Sequence, residues 1–305
     1  MLQTTGSPSS TEVARQLELA RAIDTQRWRD AWDIRTRYHS PIIRFDRPVK
    51  TLSVSLTGSR CALNCAHCGG HYLQHMQPIW DVQADGATSC LISGGCDALG
   101  RVPVTAHLAR VAALHDGRRL NWHVGLIDEE TMRAIAPYVD VISFDVVGDA
   151  ETAREVYGLD LSLEDYMRTL AMLRRYAPVV PHLTIGLRGG KLSGERAALE
   201  ALQRVGVEEL IFIVLIPTPG TVYADCAPPA VDEVADLFLQ ARVMLPEARL
   251  LLGCMRPHGA YRQAVDELAV RAGLNGMVSP TRIAERTAVE LGLEIEWGEE
   301  CCALP

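Results

Sequence analysis

The sequence predicts an α/β fold, a (β/α)8 TIM-type barrel with an N-terminal helical extension and a C-terminal tail. Three observations carry this expectation. Short, β-branched apolar runs alternate with helical patterns eight times from residue 51 onward. The runs are apolar on both faces, as strands of a covered parallel sheet are, and eight alternations favour a barrel over an open doubly wound sheet. No internal repeat and no linker long enough to separate domains interrupts the series.

Taken in order, TGSPSS (residues 5–10) is a polar, turn-rich tail expected to be disordered. Helices are expected over about 11–24 and 25–37, which places the extension in residues 1–45, the barrel in 46–290 and the tail in 291–305. The strands follow as TLSVSLTG (51–58), SCLISGG (89–95), NWHVGL (121–126), DVISFDVVG (140–148), PHLTIGL (181–187), ELIFIVLIP (209–217), RLLLGC (249–254) and, more weakly, NGMVS (275–279). Between them, Ser162 can cap a helix whose first turn holds Glu164 and Asp165, with Leu163, Met167, Leu170 and Leu173 at helical spacing. In PPAVDEVADLFLQARVML, prolines open a helix that buries Val231, Val234, Phe238 and Ala241.

The net charge of −8 argues against non-specific binding to nucleic acid or anionic membranes. No run is long and apolar enough to span a bilayer, and the N-terminus has no apolar secretory segment. Nine cysteines, an odd count unevenly spaced, do not suggest a disulfide framework. A cytoplasmic location is expected, where grouped cysteines serve as metal ligands.

Three of those cysteines stand in CALNCAHC: Cys61, Cys65 and Cys68. A structural zinc site is one reading, but it wants four ligands, and a second arm is missing. Ferredoxin-like carriers use C-x2-C-x2-C or C-x4-C-x2-C with a fourth cysteine per cluster, and C-x3-C-x2-C matches neither. The third reading gives the missing ligand a purpose. Three thiolates hold three irons of a 4Fe–4S cluster and leave the fourth iron open to a small molecule.

CALNCAHC resembles the CxxxCxxC signature of radical S-adenosylmethionine (SAM) enzymes. The resemblance implies a radical SAM barrel in which the open iron chelates the methionyl amine and carboxylate of SAM, and one electron cleaves SAM to a 5′-deoxyadenosyl radical. It implies that His67 takes the place of an aromatic residue near the adenine. LISGGCD resembles the family's glycine-rich segment, where Ser93, Gly94 and Gly95 would approach the SAM amine and Cys96 stands in place of an acidic residue. Asp145 or Asp149 would meet the ribose hydroxyls, although Asp149 also reads as a helix cap. His123 reads equally as a residue of the barrel mouth or of the core. TIGLRGGKLSGE resembles the segment against the adenine, with Glu195 opening a helix and Arg188 and Lys191 either meeting an acidic substrate group or solvated.

The longer pattern, from about residue 40 to 280, resembles biotin synthase-related two-component lipoyl synthases through VSLTGSRCALNCAHCGGHYLQHM, LISGGCDALGRVPV, FDVVGDAETAREVYGL, LIPTPGT and GCMRP. The resemblance implies sulfur insertion into an octanoyl chain on a carrier protein, with a paralogous partner and a low-potential donor such as ferredoxin or flavodoxin. The chain departs from single-chain lipoyl synthases in having no cysteine before Cys61. A second, auxiliary cluster held by Cys254, Cys301, Cys302 and Cys96 is inferred from position. Another biotin synthase-like radical enzyme without sulfur insertion, or a non-catalytic iron–sulfur protein, is the alternative.

Overall fold

The computed structural model describes residues 8–304. The expectation for residues 5–7 lies outside them, but Ser9 and Ser10 are ordered. The Ser9 side chain accepts from Glu12 N and caps α1 (Ser10–Arg21), and Asp24 caps α2 (Thr25–Tyr38) in the same way. Both helices pack on the outer layer against the helix Val231–Met244, and α1 also packs against Ala260–Arg271.

The strands are β1 (Ile42–Asp46), β2 (Thr51–Ser55), β3 (Gln77–Pro78), β4 (Ser89–Ser93), β5 (Arg119–His123), β6 (Val141–Asp145), β7 (Val179–Ile185), β8 (Glu209–Val214), β9 (Arg249–Leu252), β10 (Gly276–Val278) and β11 (Glu294–Gly298). They form one sheet in the order β11-β1-β10-β9-β8-β7-β6-β5-β4-β2-β3, and every pairing is parallel. All eight expected runs are strands, most of them shorter at the C-terminal end. The expected closed eight-stranded barrel is corrected: the sheet has eleven strands and stays open between the edges β3 and β11. Two of the added strands break the apolar pattern, β1 with Arg44 and Asp46 and β11 with Glu294 and Glu296. They fall in segments first read as extension and tail.

Chain after β11 bridges the gap. Arg47 N donates to Gly298 O (2.9 Å) and Lys50 N to Glu299 O (3.0 Å). The Glu300 carboxylate then accepts from the hydroxyls of Thr51, Thr88 and Ser89, at the starts of β2 and β4. Below it, Ala303 and Leu304 are buried against Val141, Val180, Ile211 and Leu251 on the inner face of the sheet. The tail therefore closes the lower end of the barrel.

The outer faces of the strands meet the helices in the main core, with Trp122, Ile142, Phe144, Leu183, Phe212 and Leu252 almost fully buried. The helix Leu163–Leu173 starts in a reciprocal capping box between Ser162 and Asp165. Val231, Val234, Phe238 and Ala241 are fully buried, as their spacing predicts. No described helix is long and apolar enough to cross a membrane.

Candidate functional site

The C-terminal ends of barrel strands carry active sites because the loops there converge on one mouth. The loop after β2 carries Cys61, Cys65 and Cys68 to that mouth. Backbone bonds hold it from three sides: Ala62 N to Cys96 O (2.8 Å), Ala66 N to Val156 O (2.8 Å) and Tyr223 N to Ala66 O (3.0 Å). All three thiols are free. A hydrogen bond with Cys68 raises the pKa of Cys65, and the same bond lowers Cys68 to about 7. Cys61 lies near enough for its charge to raise Cys65 further. Among the described residues, no three His, Cys, Asp or Glu side chains are already gathered as a single metal ion would require. The donor set nonetheless fits a cluster: three free soft thiols on one pinned loop, one of them already inclined to the thiolate.

Gly95 explains part of the glycine-rich segment. A Cβ there would lie 2.6 Å from Cys61 Cα and collide with the Arg60 carbonyl, so the cysteine loop crosses the bare face of Gly95. Its N–H donates to Thr57 Oγ1 (2.7 Å). Ser93 Oγ donates to His123 O (3.2 Å), and Gly94 sits against the Thr57 side chain. We expect Gly95→Ala to cost roughly 3 kcal/mol, since a backbone clash cannot be relieved by a rotamer. A melting temperature and iron content equal to wild type would contradict that packing.

His67 turns inward. Its ring makes an edge contact with Tyr157 (5.7 Å between centroids), and its buried Nδ1 has no hydrogen-bond partner. Burial lowers its pKa to about 4, so the ring is neutral near pH 7. An unsatisfied buried nitrogen beside the thiols suits a polar ligand. Asp145 ends β6 with its carboxylate 3.8 Å from His123 Nδ1, and both line a mouth cavity of about 100 Å³ with Ser143, Tyr157 and Cys96. His123 thus faces the mouth. A larger cavity, about 670 Å³, opens at the opposite end of the strands beside Leu304, away from the three thiols.

Other sequence candidates have structural partners. Asp149 caps the turn at Ala150–Thr152 by accepting from Thr152 N (2.7 Å). Arg188 is partly exposed and paired within the protein, with Glu151 and Glu155 each at 2.6 Å. Glu195 opens the helix Glu195–Val205 and accepts from Gly186 N and Ser193 N. Lys191 is exposed.

The four cysteines grouped by position divide. Cys96 joins the first set: burial pushes its thiol up to about 12, and the charges of Cys61 and Cys68 add to this. Cys301 and Cys302 stand apart from it, and the charge of Cys254 raises the pKa of both tail thiols beyond the effect of burial. Cys301 Sγ accepts from Asn121 Nδ2 (3.4 Å), and Cys302 Sγ lies 3.7 Å from His182 Nε2. Beside Cys254 in the chain, the fully buried guanidinium of Arg256 pairs with Asp266 (2.6 Å) and donates to Gly253 O and Val278 O.

Asn121, Ser143 and His182 escaped the sequence reading. Each sits on the inner face of a strand that looks apolar as a whole. The signal is a period-two alternation of polar residues, Asn121/His123, Ser143/Asp145 and His182/Thr184.

No protein-family model and no curated protein matches the chain. Solved structures do. Methylornithine synthase (PylB) aligns with a TM-score of 0.61 over 94% of each chain at 11% identity. SuiB of Streptococcus suis bound to S-adenosylmethionine aligns with a TM-score of 0.51 over 76% of this chain and 58% of its own, at 14% identity. The likeness is one of fold.

Proposed function

We propose that the chain is a radical SAM enzyme that abstracts hydrogen from an unactivated carbon. One observation carries the reading: the C-x3-C-x2-C loop stands, with its thiols free, at the strand C-termini of an open parallel barrel. The fold it shares with SuiB, solved with S-adenosylmethionine bound, is consistent with that. A 4Fe–4S cluster with one open iron, when bound, supplies the electron that splits SAM to methionine and a 5′-deoxyadenosyl radical.

The chain's own residues do the rest. Cys61, Cys65 and Cys68 would hold the cluster. Ser93 and Gly94 lie beside the loop for the SAM amine, while Gly95 gives its bare face to the loop itself. Asp145 and His123 present polar groups in the mouth for ribose hydroxyls. Neutral His67 offers Nδ1 to the nucleobase. The barrel wall keeps bulk water from a reactive radical.

The finer reading is sulfur insertion into an octanoyl chain on a carrier protein, alongside a paralogous partner and a ferredoxin- or flavodoxin-type donor. It is supported by the second set of thiols, Cys254, Cys301 and Cys302, which would hold an auxiliary cluster as the sulfur source. Cys96 leaves the auxiliary set, because it stands with the first group.

Anaerobic reconstitution tests the central reading. Adding SAM should change the electron paramagnetic resonance spectrum of the reduced protein, because SAM would bind at the open iron. A spectrum indifferent to SAM would point to a closed, non-catalytic centre.

A further inference from the structure

Inside the barrel, β7 carries a histidine with an unusual setting. His182 is 4% exposed, in mid-strand, on the inner face. Its Nδ1 lies 3.1 Å from Val180 O, and a carbonyl can only accept. Nδ1 therefore carries the hydrogen, and the lone pair is on Nε2. That lone pair points at Cys302 Sγ, 3.7 Å away. A ring nitrogen donating to a backbone carbonyl while the other faces a soft donor is the arrangement that orients a metal-binding imidazole. As a mere packing residue, His182 would bury a basic nitrogen with only a weak thiol partner.

The thiols around it are not those of a fraying terminus. Cys301 is fixed by Asn121 at its sulfur and by Thr51 Oγ1 at its N–H (2.8 Å). Glu300, one residue earlier, is held by three hydroxyls. The backbone on either side of Cys254 is fixed by Arg256, which pairs with Asp266 and donates to Gly253 O. These anchors fix Cys301 and Cys302 in the lumen, Cys302 directly beside His182, and the charge of Cys254 reaches both tail thiols.

We propose that His182 is the fourth protein ligand of a second iron–sulfur centre, bound through Nε2, with Cys254, Cys301 and Cys302 supplying the thiolates. This rests on the reading that the chain carries an auxiliary cluster, and it replaces Cys96 with His182 in that ligand set. On ligation each thiol loses its proton, whereas His182 loses none and keeps Nδ1–H on Val180 O. These donors are not packed tightly enough for a single ion, and neither are Cys61, Cys65 and Cys68. A four-iron cluster spreads its ligands wider than one ion does. With a neutral imidazole in place of a thiolate, the centre should be easier to reduce than an all-cysteine one.

The test uses the full chain with Cys61, Cys65 and Cys68 replaced by alanine, so that only the second centre remains. After anaerobic reconstitution, pulsed electron paramagnetic resonance on the reduced protein, with natural and ¹⁵N-histidine labelling, should show one histidine nitrogen coupled to the iron. His182→Ala should lose that coupling. His182→Cys should retain the iron and shift the midpoint potential downward, which separates a ligand change from misfolding. Iron retained with no histidine coupling in the parent would overturn the assignment and leave the auxiliary cluster standing. A parent that takes up no iron would overturn both.

Discussion

The Cys61→Ala/Cys65→Ala/Cys68→Ala variant is expected to produce no 5′-deoxyadenosine above background under dithionite, with iron lower by about four per chain, one 4Fe–4S cluster's worth. The loss should come without unfolding. The loop is held by Ala62, Ala66 and Tyr223 backbone bonds to Cys96, Val156 and Ala66, none of which uses a thiol. Cys61 and Cys68 are only half-buried, so alanine there removes little packing. Product assay, iron content and circular dichroism on one preparation decide the matter. SAM cleavage at the native rate in a folded variant would refute the central assignment.

Removing Glu299–Pro305 should lower iron by a further, separate four per chain. SAM cleavage should survive, because the first set of thiols lies at the mouth and does not depend on the tail. Sulfur transfer to an octanoyl-lysyl peptide, followed by mass, should stop. The truncation also uncovers Val141, Val180, Ile211 and Leu251 and removes the Glu300 bridge across the open edge, so stability should fall as well. The Cys301→Ser/Cys302→Ser double variant keeps that packing and isolates the ligand effect. Unchanged iron in the double variant would remove the auxiliary cluster, leaving a hydrogen-abstracting enzyme without sulfur insertion as the better description.

Much of the fold is legible because local pattern and tertiary environment agree. The eight inner runs are β-branched and apolar, and each becomes a parallel strand covered by helices. The helix caps at Ser162 and the buried stripe from Val231 to Ala241 follow from spacing alone. β1 and β11 were missed because charged residues interrupt them; Arg44 finds Asp46 at 2.8 Å, a pairing that periodicity does not register. In β5, β6 and β7 the outer residues are large and apolar and mask the polar inner ones, so the lumen's character was hidden in plain alternation.

By itself, then, the sequence determined the parallel α/β class and the three-thiol loop, since both are local: strand patterns repeat over a few residues, and the cysteines lie within one loop. The tertiary structure alone decided that the barrel is open, that its tail bridges the gap, and that Cys96 lies against the cysteine loop. It also brought His182 to Cys302, 120 residues away in the chain. Those outcomes depend on where a closing sheet places distant segments relative to one another. No spacing along the chain encodes that distance, because it is set by strand order and by the cost of leaving buried polar groups unpaired.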